Sequence, residues 1–323
     1  MDHLWAISGM LNRNFIRSNC DALVALIQDY QPDVIVDSWN LFAGIAAKVT
    51  RKPIVTIIQA DMHPQSRGFI WWKDPSQKSP TPVPAVNQVL ASYGLPPVNT
   101  TAVFNVGDMT LVLGTPETDP VPDTADVTYI GPILWQKPDA MLPDWVEALG
   151  HEKPVIWVYT GNPQYFPVRT SVDSVIVLQA CIEALATEDV QVVLTTGYHS
   201  LPTEVLPLPD NFSYAPYVPG LAMARQSNLL IHHGEYGSCQ LGFCTGIPAV
   251  IIPTYSERES NARRVAAAGA GEFIVPSTDR SGRHKFVSGD ELRAKVKQVL
   301  ADSRYAASAN ITTKSCMTTK SSL

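Results

Sequence analysis

Hydrophobic positions along this chain fall into two patterns. Short continuous apolar runs, the signature of strands buried on both faces, occupy 33–37, 53–58, 109–113 and 127–130, and then 155–159, 191–194, 212–214, 229–231, 249–252 and 272–275. Between them, apolar residues recur at helical spacing. Phe15, Ile16, Cys20, Leu23, Val24 and Ile27 predict one amphipathic helix over 12–30, ended by Pro32. Further helices are predicted at 41–49, 83–93, 171–187, 238–245 and 289–301. Ser256 with Glu259 three residues on has the form of a capping box, so another helix is expected from there to about Gly269. Strand, helix, strand with short joints is a βαβ unit, which makes the sheets parallel and covered on both faces. The fold class is therefore α/β.

The pattern divides the chain. After Gly131-Pro132 the composition shifts to Gln136-Lys137-Pro138-Asp139. A first domain over 1–135, a linker over 136–153 and a second domain over 154–305 are expected. Residues 306–323 are Ser/Thr/Lys-rich and aperiodic, and read as a disordered tail. Residues 61–82, with His63-Pro64, Trp71-Trp72 and several prolines, read as a long surface loop of the kind that forms a binding edge or lid. The Trp71-Trp72 pair could line a binding site or simply fold onto the core.

At 323 residues, each of two domains can bury its own core. A net charge of −6 opposes a nucleic-acid partner, which would call for a basic face. The five cysteines (Cys20, Cys181, Cys239, Cys244, Cys316) are scattered, odd in number and without a CxxC. They suit reduced thiols and a cytoplasmic location better than a disulfide framework or a metal site. The apolar run Leu4–Leu11 is too short to span a membrane and is followed by no cleavage pattern.

The chemistry concentrates in one stretch. The strand 229–231 runs into His232-His233-Gly234-Glu235-Tyr236-Gly237-Ser238, where glycines permit a sharp turn close to a ligand and a helix begins. A glycine turn opening on a helix N-terminus favours an anion, because backbone N–H groups and the helix dipole both face it. His232 adds a side-chain donor for a phosphate oxygen. His233, its neighbour on the strand, faces the other way and reads as structural, so the pair is not a metal pattern. These residues alone imply a phosphate-bearing ligand.

The longer stretch resembles the donor-binding signature of the family 1, UDP-sugar-dependent glycosyltransferases. That pattern is close to His-His-Gly-Gly-x-Gly-Thr, then Gly-Val-Pro, a strand to Pro, Asp/Glu-Gln and Asn-Ala-x-x-Val. Here it stands as His232 to Ser238, Gly246-Ile247-Pro248, Pro253, Glu257-Arg258 and Asn261-Ala262-Arg263-Arg264-Val265, in register without a gap. Glu235 replaces a turn glycine and Arg258 replaces the glutamine that holds sugar hydroxyls. The resemblance covers roughly residues 30–305 and implies the GT-B fold, two Rossmann-like domains facing across a cleft. It implies an inverting, metal-independent transfer from a UDP-sugar co-substrate to a hydroxyl of a small-molecule acceptor, with no cofactor. It places Thr160-Gly161-Asn162 at a phosphate-contacting loop, Tyr217 and Val218 at the nucleobase, and Glu257 and Arg258 at the sugar. Asp37 matches the aspartate that orients the family's catalytic histidine.

Each position has a plainer account. Asp37 could cap the next turn, Thr160-Gly161-Asn162 could be an ordinary turn, Tyr217 could be packing, and Glu257 suits any helix N-terminus. Against the resemblance, the first domain opens on a helix and holds fewer strands than the second. The chain is accordingly expected to begin late, with the first domain incomplete and the catalytic histidine without a counterpart, to stop early, and to turn over poorly. The alternatives are a catalytically weak nucleotide-sugar binder and a nucleotide-sugar epimerase of the same fold.

Overall fold

The apolar runs become strands in the computed structural model, which describes residues 2–66, 68, 80–137, 139–150, 152–164, 167, 170, 172–280 and 284–318. The chain separates into two compact units, Met1–Gly131 and Pro132–Leu323.

In the first unit, α1 (Asp2–Trp5) and a π-helical turn (Ala6–Met10) lead into α2 (Arg13–Tyr30). Asn12 starts α2 by accepting the N–H groups of Asn14 and Phe15 at 2.9 and 3.2 Å. Then follow β1 (Ile35–Asp37), α3 (Leu41–Thr50), β2 (Ile54–Ile58), α4 (Val83–Ser92), β3 (Met109–Val112) and β4 (Thr128–Tyr129). The four strands lie in chain order and are parallel throughout. Ile16 and Cys20 of α2 pack with Leu41 and Ile45 of α3, Val86 and Leu90 of α4, and Phe104. Trp71-Trp72 and the middle of the 61–82 loop lie outside the described residues.

The second unit opens on α5 (Asp144–Glu147) and continues through β5 (Val155–Tyr159), α6 (Val175–Leu185), β6 (Gln191–Thr195) and β7 (Phe212–Ala215). After α7 (Gly220–Gln226) come β8 (Leu229–His232), α8 (Tyr236–Thr245), β9 (Ala249–Ile251), α9 (Ser256–Ala267) and β10 (Gly271–Phe273). A hairpin, β11 (Ser277–Thr278) with β12 (Lys285–Phe286), precedes α10 (Gly289–Ala301) and α11 (Ser303–Thr318). The six-stranded sheet has the order β10-β9-β8-β5-β6-β7 and every pairing in it is parallel. Its core joins Ile156, Val158, Leu194 and Ile231 to Leu178, Cys181 and Leu185 of α6 and to Leu292 and Val296 of α10.

Two expectations need correction. Residues 306–318 are not an aperiodic tail but belong to α11. Ala306, Ala307 and Ala309 favour helix, and Ala309 is fully buried. Tyr255, and not Ser256, holds the cap position of α9, with no side-chain hydrogen bond to cap it, and Ser256 is the first residue of the helix. Among the described residues no helix is long and apolar enough to cross a membrane.

Candidate functional site

The strand order of the second unit reverses between β5 and β8, since β6 and β7 run away on one side and β9 and β10 on the other. Loops leaving the C-terminal ends of such a pair diverge and leave a crevice, where ligands of open α/β sheets bind. The register pairs Tyr159 with His232, so Thr160-Gly161 and His233-Gly234 leave the sheet side by side. A Cβ on Gly161 would sit 3.5 Å from Cε1 of His233. Gly234 has φ +90° and a Cβ there would lie 2.8 Å from the Arg258 carbonyl oxygen, so this turn admits only glycine without strain.

Both imidazoles of the turn are buried. Nδ1 of His232 accepts the Gly234 N–H at 3.1 Å, which assigns the proton of the neutral ring to Nε2. That Nε2 and Nδ1 of His233 have no hydrogen-bond partner among the described residues. Burial, reinforced by the Arg258 charge, pushes the His232 imidazole down to about 3 and holds His233 well below the usual histidine value. A buried, neutral, unpartnered N–H is costly unless something accepts from it. A phosphate oxygen would.

α9 holds this turn from below. Asn261 donates through Nδ2 to the Gly234 carbonyl at 2.9 Å and to Oε1 of Glu257 at 2.7 Å, and its Oδ1 accepts from Arg264 at 2.7 Å. That clamp gives a physical reason for Asn-Ala at this spacing. Burial drives the Glu257 carboxyl up to about 7. Arg258 is only 1% exposed, and its guanidinium donates to Thr254 Oγ1 at 2.6 Å and Ser174 Oγ at 3.3 Å, 4.4 Å over the Tyr255 ring.

On the open side lies a cavity of about 410 Å³, lined among others by Trp135, Trp157, Tyr159, Tyr198, Tyr217 and Ser238. Tyr198 and Tyr217 stack with ring centroids 4.7 Å apart and planes 6° from parallel. An aromatic shelf ending on a helix N-terminus suits a flat base joined to an anion. A cavity of about 480 Å³ in the first unit is lined by Lys48, Arg51, Lys52 and Asp108. It sits where β2 and β3 begin, the end of a parallel sheet away from its ligand edge.

The sequence-predicted residues therefore divide. Tyr217, Val218, Glu235, Gly237 and Ser238 line the aromatic cavity. Gly161 lies against His233, while Thr160 is buried and donates to the Gly161 carbonyl at 3.2 Å. Asn162 makes an ordinary turn, its Oδ1 accepting the Gln164 N–H at 3.1 Å. The Tyr236 ring lies 6.0 Å from the Arg264 guanidinium. Glu257 and Arg258 stand under the turn, and the expectation that Arg258 holds sugar hydroxyls gives way to an interior role. Asp37, in the first unit, accepts the Asn40 N–H at 3.1 Å, and desolvation raises its carboxyl. Leu4 packs against Ile58 and Val112, the C-terminal ends of β2 and β3, and the Trp5 ring lies 5.4 Å from that of Trp39, two residues past Asp37. Sequence reasoning passed over His233, Trp135, Trp157 and Tyr198. For Tyr198 a signal existed, since it follows the end of a predicted parallel strand.

Comparison with known proteins agrees with this geometry. Residues 179–319 match the model of the erythromycin biosynthesis protein CIII-like C-terminal domain. A PGL/p-HBAD biosynthesis glycosyltransferase of Mycobacterium tuberculosis is 25% identical over 316 residues, 91% of this chain and 69% of its own length. The 4'-demethylrebeccamycin synthase of Lentzea aerocolonigenes is 29% identical over 181 residues, 56% of this chain and 39% of that one. Among solved structures, the calicheamicin glycosyltransferase CalG4 superposes with TM-score 0.68 at 20% identity, over 93% of this chain and 73% of that one. These likenesses support a family 1 glycosyltransferase of the GT-B fold. In this glycosyltransferase the stretch that carries the resemblance lies at the β5–β8 crevice, and the buried Arg258 is one of its interior departures.

Proposed function

We propose that the enzyme transfers a sugar from a pyrimidine nucleoside-diphosphate donor to a hydroxyl of a small-molecule acceptor, with inversion and without a metal. The observation that carries this is the unpartnered Nε2–H of His232, buried at a glycine turn that opens onto α8, next to an aromatic cavity. A diphosphate at this turn would take the His232 proton donor and the backbone N–H groups of the helix end, and a base would stack on the tyrosine shelf. The same groups stabilise the diphosphate as it leaves with the bonding electrons, which is where charge develops in the transition state. Of the solved neighbours, the glycosyltransferase VinC was obtained with dTDP and the spinosyn rhamnosyltransferase SpnG with thymidine diphosphate. Thymidine diphosphate sugars therefore stand beside UDP-sugars as the donors to test.

On the acceptor side, Asp37 orients and His3 removes the proton of the attacking hydroxyl in this reading, because Leu4 and Trp5, which follow His3 in α1, pack at the strand ends and against Trp39, two residues past Asp37. General-base catalysis is worth about 10²–10⁴-fold. His3→Ala should thus lower turnover by that order, and Asp37→Asn by less, with donor affinity unchanged in both. Full turnover by His3→Ala in a coupled diphosphate-release assay would remove it from the mechanism.

The donor site is tested by titration calorimetry with UDP and thymidine diphosphate. His232→Ala should weaken binding about ten-fold, or ~1.4 kcal/mol, the size of one hydrogen bond to a charged group. Unchanged affinity would show that the imidazole faces no phosphate.

A further inference from the structure

We propose that Glu235 is an internal occupant of the diphosphate seat, a carboxylate that the donor's phosphates must displace and that sets how tightly they bind. This rests on the donor-site reading above and adds to it a residue that limits affinity.

Three observations carry it. Glu235 stands at the cap position of α8 and extends into its first turn, with Oε2 and Oε1 at 3.5 and 3.7 Å from the place a Cβ of Gly237 would take. The carboxylate therefore lies against the backbone at the positive end of the helix, where an incoming anion would settle. It also lines the aromatic cavity together with Gly237 and Ser238, so it faces the space the ligand needs. The turn that carries it begins with the buried His232, whose Nε2–H is unpartnered, so the seat has a donor that Glu235 itself does not satisfy.

Burial raises the Glu235 carboxyl and the Arg258 charge lowers it, offsetting part of its effect; Arg258 itself is held in the interior by Thr254, Ser174 and the Tyr255 ring. Glu257, from α9, adds a second carboxyl to the same field. Two like charges held a few ångströms apart repel by an amount that salt reduces. Glu235 holds the cap position of α8, and its carboxylate interacts with the Gly237 backbone N–H. Replacing the carboxylate by an amide of the same shape removes the charge and keeps an oxygen to accept the Gly237 N–H.

The test compares wild-type enzyme with Glu235→Gln and Glu235→Gly in calorimetric titrations of thymidine diphosphate, UDP and uncharged thymidine, at low and high salt. Both variants should bind the diphosphates about ten-fold more tightly at low salt, in keeping with the loss of one nearby like charge. The gap should shrink at high salt, and thymidine affinity should stay as in the wild type. Glu235→Gln keeps the side chain's volume, so its melting temperature serves as the check that the fold is intact. Equal or weaker diphosphate binding in both variants, with wild-type binding intact, overturns the role of Glu235 alone. Failure of wild type and variants alike to bind any diphosphate overturns the donor-site reading with it.

Discussion

Gly234→Ala should cost the second unit roughly 2–5 kcal/mol and remove most of its affinity for nucleoside diphosphates. Two effects add. At φ +90° the added methyl group strains the backbone, by about 1–2 kcal/mol for an L-residue in left-handed space. The methyl would also sit 2.8 Å from the Arg258 carbonyl and 2.9 Å from its Cβ, and backbone cannot swing aside as a side-chain tip can. Overpacking of that kind costs about 1–3 kcal/mol. The clash is relieved by lifting the turn off α9, which pulls against the Asn261 bond to the Gly234 carbonyl. The Gly234 N–H that His232 Nδ1 accepts would move with it, turning the imidazole away from the ligand. A melting temperature about 5–15 °C lower is expected, at ~2–4 °C per kcal/mol for a unit of this size. Wild-type melting with wild-type nucleotide affinity would show that the turn accommodates a side chain.

The fold of the second unit was legible because strands buried on both faces write themselves as apolar runs whatever surrounds them. Val155–Tyr159 was read to the residue, and β8 runs one further, to His232. The site's location was legible too, since glycines, a strand end and a helix start cluster within His232–Ser238. What sequence could not show were facts about partners far along the chain. Arg258, in the first turn of a polar helix, reads as a ligand contact until Ser174, eighty-four positions away, is seen to accept from it. His233 was set aside because adjacent strand residues face opposite ways. Its ring nevertheless meets Gly161 across the β5–β8 pairing, a contact made by register and not by local pattern. α11 was missed for a related reason. Its Ser/Thr/Lys composition carries no apolar stripe, yet it packs on α8 through small residues such as Ala309.

Arg258→Met should destabilise the enzyme by about 3–5 kcal/mol at pH 8, the usual result of removing one member of a buried charged network, and by clearly less at pH 5. The guanidinium holds two hydroxyls, Thr254 Oγ1 and Ser174 Oγ, that methionine leaves without their donor. Burial is the main cause of its neighbours' shifts, and the Arg258 charge adds to or offsets it. It lowers both imidazoles and both carboxyls, His232, His233, Glu235 and Glu257. For His232 the folded value, about 3, lies below its reference value of 6.5, so the unfolded chain binds more protons in between and stability is lost as pH falls through that window. Without Arg258 the gap narrows, but down to pH 5 the folded ring stays neutral and the loss is set by the unfolded value, the same in both proteins. Glu257 runs the opposite way. Its folded value, about 7, lies above the reference 4.5, so its contribution is lost as pH rises between them. Without Arg258 that value climbs further and the variant suffers more at high pH. Between pH 5 and pH 8 it is therefore Glu257 that makes the difference between wild type and variant grow with pH. Urea denaturation at pH 5 and pH 8 reads it directly. An equal loss at the two values would mean that Arg258 acts through its hydrogen bonds and packing, with no hand in the charge state of Glu257.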